Sequence, residues 1–192
     1  MWPAVKQGFT QEQFGSYVRQ MTWPGWRPSK GFVWHNTAAP SLAQWIKSAK
    51  EDERKGLVPG ISRIRNLERF FQQDNGWSGC PHLFIAPDLI WVMNPLTHPG
   101  THSPSFNNST IGIEMIGDFS REDDDAGDGL RVKNNTMFAT AMLCTKLGID
   151  PAPGVVVRDG KKIQSATGSI FLHKQDPRTT HDCPGEDIAE DV

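Results

Sequence analysis

Near the end of the chain, His173 stands ten positions before Cys183, and His181 stands two positions before it. Far upstream, His35 closes the apolar run Val33-Trp34-His35. Imidazole nitrogen and thiolate sulfur are favoured zinc ligands, at about 2.0 and 2.3 Å, so these side chains could converge on one zinc ion. Two histidines and one thiolate make three protein ligands. That leaves a fourth position for water, the arrangement of a catalytic rather than a structural zinc. Such a centre makes water nucleophilic near neutral pH and polarises a carbonyl. The chain is therefore a candidate metallohydrolase.

These groups need elements to hold them. Phe14 and Val18, four apart, predict a helix from Thr10 or Gln11 to about Met21. Gly31 to His35 reads as a short buried strand. Ser41 caps a helix to about Lys50, and the charged stretch 51–55 reads as a solvated turn. Ile61, Ile64 and Phe71 predict a helix over 61–73. His82–Ala86 and Leu89–Met93, joined at Pro87-Asp88, predict a hairpin. Thr110–Gly117 reads as a buried strand, and 121–129 as an acidic surface loop. Asn134 or Asn135 caps a helix to Leu147, stopped by Gly148. Val155–Val157 and Lys162–Gln164 flank Asp159-Gly160, a hairpin signal. Ser169–Leu172 is a last strand that delivers His173. The expectation is an α/β fold: one domain over 1–192, with a central mixed β-sheet flanked by helices.

Composition narrows the function further. A length of 192 residues suits one core. The net charge of −2 gives no broad basic surface, so no nucleic acid partner is expected. No apolar run approaches the ~20 residues of a membrane span, so no membrane insertion is expected. The opening Met1 to Gln7 has no basic region followed by an apolar core, so no secretory signal is expected. The protein would be made in the cytoplasm and would act on the cell wall only if it served as an endolysin. Three widely spaced cysteines do not make a disulfide scaffold. Cys144 reads as a buried thiol. Seven tryptophans read chiefly as core residues. A monomer is expected.

Four blocks, taken in order, resemble the zinc-dependent N-acetylmuramoyl-L-alanine amidases of the type 2 class. That family takes in amidase-type phage lysozymes, muropeptide amidases and peptidoglycan recognition proteins. The blocks are Val33–Ala38, Pro81–Ile85, His102–Glu114 and His173–Gly185, and the resemblance spans about 30–188. It implies His35, His173 and Cys183 as ligands of one zinc ion, with peptidoglycan or a muropeptide as substrate. It implies Glu114 as the group that takes the water proton and protonates the leaving amine. It also implies His102 and Asn107 on the substrate wall, with turn chemistry an equal reading for Asn107. His181 stands where the family often has Lys. A protonated His181 would donate to the oxyanion, and activity would fall on the alkaline side as that charge is lost. Superimposable pH–rate profiles of the wild type and His181→Lys above neutrality would contradict this. Many phage members carry a catalytic Tyr just before the hairpin histidine. Here that place is Pro81, and the lone Tyr17 lies elsewhere, so His82 is left as a packed histidine.

Other readings stay open. A peptidoglycan-binding module would need no thiolate ligand. A structural zinc domain would need a fourth protein ligand, for which Cys80 or His181 is available. A nucleobase deaminase would need His-x-Glu and Cys-x-x-Cys, which the chain lacks. Within the enzyme reading, an endolysin or autolysin stands beside a cytoplasmic recycling amidase. The segment 150–169 would shape specificity. The chain ends at Ile188–Val192, where a longer protein could continue a helix.

Overall fold

Thr10 starts the first helix through a capping box: its hydroxyl accepts from the Gln13 amide, and the Gln13 side chain accepts from the Thr10 amide. A short strand, β1 (Gln7–Phe9), precedes that helix, α1 (Gln11–Gln20). Next come β2 (Gly31–Asn36), α2 (Leu42–Arg54) and α3 (Ile61–Arg69), the last running into a π-helical turn at Phe70–Asp74. The hairpin β3 (Leu83–Ile85) and β4 (Ile90–Val92) follows, then β5 (Thr110–Met115) and the long α4 (Gly127–Leu147). A second hairpin, β6 (Val155–Asp159) and β7 (Lys162–Thr167), leads to β8 (Ile170–Leu172), a 3-10 turn at His173–Gln175 and α5 (Glu186–Glu190). This computed structural model describes residues 4–190. Residues 1–3 and 191–192, which enter the expectations about a leader and a continuing helix, lie outside the described residues.

Six strands form one sheet in the order β1-β4-β3-β5-β2-β8. β5, β2 and β8 run parallel, as do β3 and β5, while β4 is antiparallel to both β1 and β3. The sheet is mixed, as the sequence predicts. Side chains alternate between its faces, and that alternation decides where the site can lie. Phe32, Trp34, Ile111, Ile113, Met115 and Leu172 join the core beneath α1 and α4. The Trp34 indole donates to Thr140 Oγ1 at 3.2 Å, fastening β2 to α4. The opposite face carries Phe84 and Trp91, packed with Trp45, Ile64, Leu67 and Phe71 from α2, α3 and the π-helical turn. It also carries His35 and Glu114, which are register partners on β2 and β5.

Several expectations change. The charged stretch 51–55 continues α2 to Arg54 instead of forming a turn. The reason is Asp52, a buried carboxylate that accepts from the Ser62 amide at 3.1 Å and from the Ser62 hydroxyl, pinning the start of α3. α4 begins at Gly127, well before Asn134 or Asn135. Asn135 is not a cap. It is buried mid-helix, donating to the Ala86 and Pro87 carbonyls and accepting from Gln11 Nε2. The acidic loop is partly interior: buried Asp124 pairs with Lys133 at 3.2 Å. At Gly129, a Cβ would lie 1.9 Å from the Asp123 carbonyl oxygen, so only glycine fits. The predicted helix over 61–73 becomes α-helical only to Arg69 and then π-helical. The second hairpin forms as predicted, but Asp159 pairs with Lys162, so its two loop residues are Gly160 and Lys161. Strand β1 went unpredicted, because three residues show too little alternation. Among the described residues, no helix is long and apolar enough to cross a membrane.

Candidate metal centre

Parallel pairing sets Trp34 opposite Leu172, so the residue after each, His35 and His173, emerge side by side. Their ring centroids are 4.4 Å apart. Cys183 returns to the same place because the Lys174 amide donates to the Cys183 carbonyl at 2.8 Å. The Asn36 amide donates to Cys183 Sγ at 3.2 Å. One donor atom from each of His35, His173 and Cys183 lies within 4.8 Å of the others, the grouping among the described residues that could hold a metal ion. Cys80 is not part of it; its thiol is buried and directed to the Pro81 carbonyl.

The electrostatics suit a cation. Burial, reinforced by the neighbouring His173 and His102, holds His35 well below the usual histidine range. Burial also lowers His173 to about 4, with His181 adding to the effect. Both rings are thus neutral, the form that ligates. Burial pushes the Cys183 thiol far up, and nearby Glu114 pushes the same way. A thiolate here needs a positive charge beside it, which a divalent ion supplies. The backbone N–H directed at Sγ is the kind of contact that steadies such a sulfur. The residues therefore fit a zinc-like ion.

The three donors line a cavity of about 400 Å³. Glu114 lines it, 9% exposed, and burial raises its carboxyl to about 8. His181 also lines it; its exposed ring is stacked 5.9 Å from His173. The lining also includes Phe70 and Trp77, which remain 47% and 41% exposed beside buried Phe71. Sequence reasoning missed this aromatic lining. Its one available signal was the clustering of Phe70, Phe71 and Trp77 at the end of a helical pattern, a cluster equally suited to a core.

His102 touches the cavity wall, but it is 7% exposed and both ring nitrogens have partners, His35 at 3.1 Å and the Thr110 carbonyl at 3.4 Å. Asn107 lies away from the cavity. Its Oδ1 accepts from the His102 and Ser103 amides at 2.8 and 2.7 Å, which is turn chemistry. His82 is fully buried, accepting from the Gly112 amide and donating to the His98 carbonyl, a packed histidine as expected. Thr37, beside the site, serves as a tie: its hydroxyl donates to the Pro40 carbonyl and accepts from the Gly117 amide.

One buried carboxylate absent from the sequence reading fastens the site together. Asp176 accepts from the Ser103 and Ser105 hydroxyls at 2.6 Å, and from the Ser105 and Arg178 amides at 2.8 and 2.9 Å. Burial alone would raise its carboxyl; the hydrogen bonds outweigh that and hold it below the usual range. Such a group stabilises the fold above its unfolded pKa, about 3.9, and the contribution fades as pH falls through its lower folded value. Asp176→Asn should therefore lose about 3 kcal/mol near neutrality, since charge-assisted bonds are replaced by fewer neutral ones. In urea melts, the gap between variant and wild type should narrow from pH 7 to pH 3. A constant gap contradicts this account of Asp176.

Comparison with known proteins gives the family and the fold. The family model described as N-acetylmuramoyl-L-alanine amidase matches residues 25–186. No curated protein matches the chain by sequence. Among solved structures, wild-type Drosophila PGRP-LB is 20% identical with a TM-score of 0.62, over 87% of this chain and 81% of its own. Peptidoglycan recognition protein-LE in complex with tracheal cytotoxin is 19% identical with a TM-score of 0.61, over 90% of this chain and 84% of its own. The Ph2119 endolysin from a Thermus scotoductus bacteriophage is 20% identical with a TM-score of 0.54, over 92% of this chain and 94% of its own. At such identities these structures speak for the fold, a mixed sheet flanked by helices.

Proposed function

The chain belongs to the N-acetylmuramoyl-L-alanine amidase family, and on that premise we propose that it hydrolyses the amide joining N-acetylmuramic acid to L-alanine in peptidoglycan, with one zinc ion held by His35, His173 and Cys183. The observation that carries the proposal is the convergence of two neutral imidazoles, one sulfur and a buried carboxyl in a single cavity. A purely structural metal would call for a fourth protein ligand, and the grouping among the described residues holds three. A binding module without catalysis would have no use for Cys183 as a ligand or for a carboxyl tuned to about 8.

When bound, zinc supplies Lewis-acid polarisation of the scissile carbonyl and acidification of the attacking water. The chain's own residues do the rest. Glu114, raised to about 8 by its burial, takes the proton of the attacking water in its ionised form and returns it to the departing amine. His181, at the rim beside His173, donates to the oxygen on which negative charge develops. Phe70 and Trp77, which also line the cavity, offer apolar faces for the substrate. Buried Phe71 and Phe84, 6.0 Å apart between ring centroids, add further apolar surface to the lining.

We place this activity in a lytic role on the cell wall, as an endolysin or autolysin. That reading is supported by Phe70 and Trp77 in the cavity lining, whose exposed rings are apolar faces suited to sugar rings of a polymer. Mass spectrometry of products from intact peptidoglycan and from soluble muropeptides tests both parts. Free stem peptides beginning with L-alanine, released from the polymer, are the expected result. Release from soluble muropeptides alone would overturn the lytic role, and no release from either would overturn the amidase reading.

A further inference from the structure

We propose that His102 is a positioning residue that fixes the tautomer of His35, so that Nδ1 of His35 is the ring atom presented to the metal. The inference rests on the metal centre proposed above and assigns a role to a residue outside it. The chain of contacts starts at the Thr110 carbonyl, which can only accept. His102 Nε2, 3.4 Å away, therefore carries the ring hydrogen. The His102 ring is buried, and its nitrogens face a carbonyl and another imidazole rather than a carboxylate, so it holds a single ring hydrogen and its Nδ1 is an acceptor. His35 Nε2, 3.1 Å from that atom, must then be the donor. A neutral His35 protonated at Nε2 has its remaining lone pair on Nδ1.

The surroundings hold His102 for this purpose. Its ring lies over Gly112 of β5, where a Cβ would come 2.4 Å from His102 Cγ, so no larger residue could share the strand with it. Asn107 Oδ1 grips the His102 and Ser103 amides. Asp176 grips Ser103 and Ser105 only three residues beyond His173. The loop behind one ligand is thus tied to the segment that carries another. Both His102 nitrogens are occupied, so it has none left for a substrate. A neutral imidazole also orients His35 without adding negative charge near Cys183 and Glu114, as a carboxylate acceptor would.

Partners of this kind, bonded to a ligating histidine, typically govern metal affinity by about 10- to 100-fold. Zinc dissociation constants from chelator competition should therefore weaken about 10- to 100-fold in His102→Leu, which keeps bulk but lacks an acceptor. They should stay within about threefold in His102→Asn, whose side-chain oxygen can accept in place of Nδ1. KM for a soluble muropeptide at saturating zinc should stay close to the wild-type value in both. Equal zinc affinity in all three proteins with a raised KM would overturn the inference and return His102 to the substrate wall. Long-range proton–nitrogen correlation spectra of the wild type give a test independent of variant folding. They should show the His35 hydrogen on Nε2, and a hydrogen on Nδ1 would overturn the inference. Failure of the wild type to take up zinc would instead strike the metal reading beneath it.

Discussion

Cys183→Ser should fold like the wild type, lose its zinc on dialysis and lose amidase activity on the order of 10³-fold or more. The magnitude follows from Lewis-acid stabilisation worth several kcal/mol, with each 1.36 kcal/mol a factor of ten in rate. Serine keeps an acceptor for the Asn36 amide that now reaches Sγ at 3.2 Å, so the backbone loses little. What is removed is the soft, charged ligand, which a hydroxyl does not replace. Metal content and muropeptide hydrolysis, read on one sample, check the prediction. Near-wild-type activity in a zinc-free variant would contradict it. Melting curves in excess chelator should coincide for the two proteins, which separates loss of metal from loss of fold.

Glu114→Gln should retain zinc and lose about 10²- to 10⁴-fold in kcat, the usual range for a positioned proton-transfer group. The pH profile carries the sign. In the proposed role Glu114 acts as a base when ionised, and burial raises its carboxyl to about 8. A cation in the site favours the charged form and brings that value down. Wild-type activity should therefore rise with pH through an acid limb at or below about 8. Glutamine does not titrate, so the residual activity of the variant should lack that limb. The same limb in Glu114→Gln would assign the titration to another group and remove Glu114 from the proton transfer.

The grouping of His35, His173 and Cys183 was legible in the sequence because its signals are local. Each histidine follows a short apolar run, and a parallel sheet brings such strand ends to one edge. His173 and Cys183 also lie in one short segment that a single backbone bond closes. What the sequence concealed depends on partners distant along the chain. Asp52 looks like part of a solvated charge run until Ser62 is seen to satisfy it. Asn135 looks like a helix cap until its amide is found on the Ala86 and Pro87 carbonyls, eight residues inside a helix that begins at Gly127. Asp176 is an ordinary turn residue in sequence, and only the loop from Ser103 to Ser105 makes it a clamp. His102 and Asn107 sit in the block that the family resemblance marks as substrate wall. Their hydrogen bonds face inward, His102 toward His35 and Asn107 toward its own loop. Residue type and spacing indicate that a polar group is needed at such a place; the direction it faces is set by the fold.

The central claim is one divalent ion held by two imidazoles and a sulfur. Anomalous diffraction recorded on both sides of the zinc absorption edge, from crystals of the zinc-loaded protein, tests it most directly. A single peak bonded to His35, His173 and Cys183 is the predicted result. A zinc peak elsewhere, or none among these three side chains at full loading, would contradict the account.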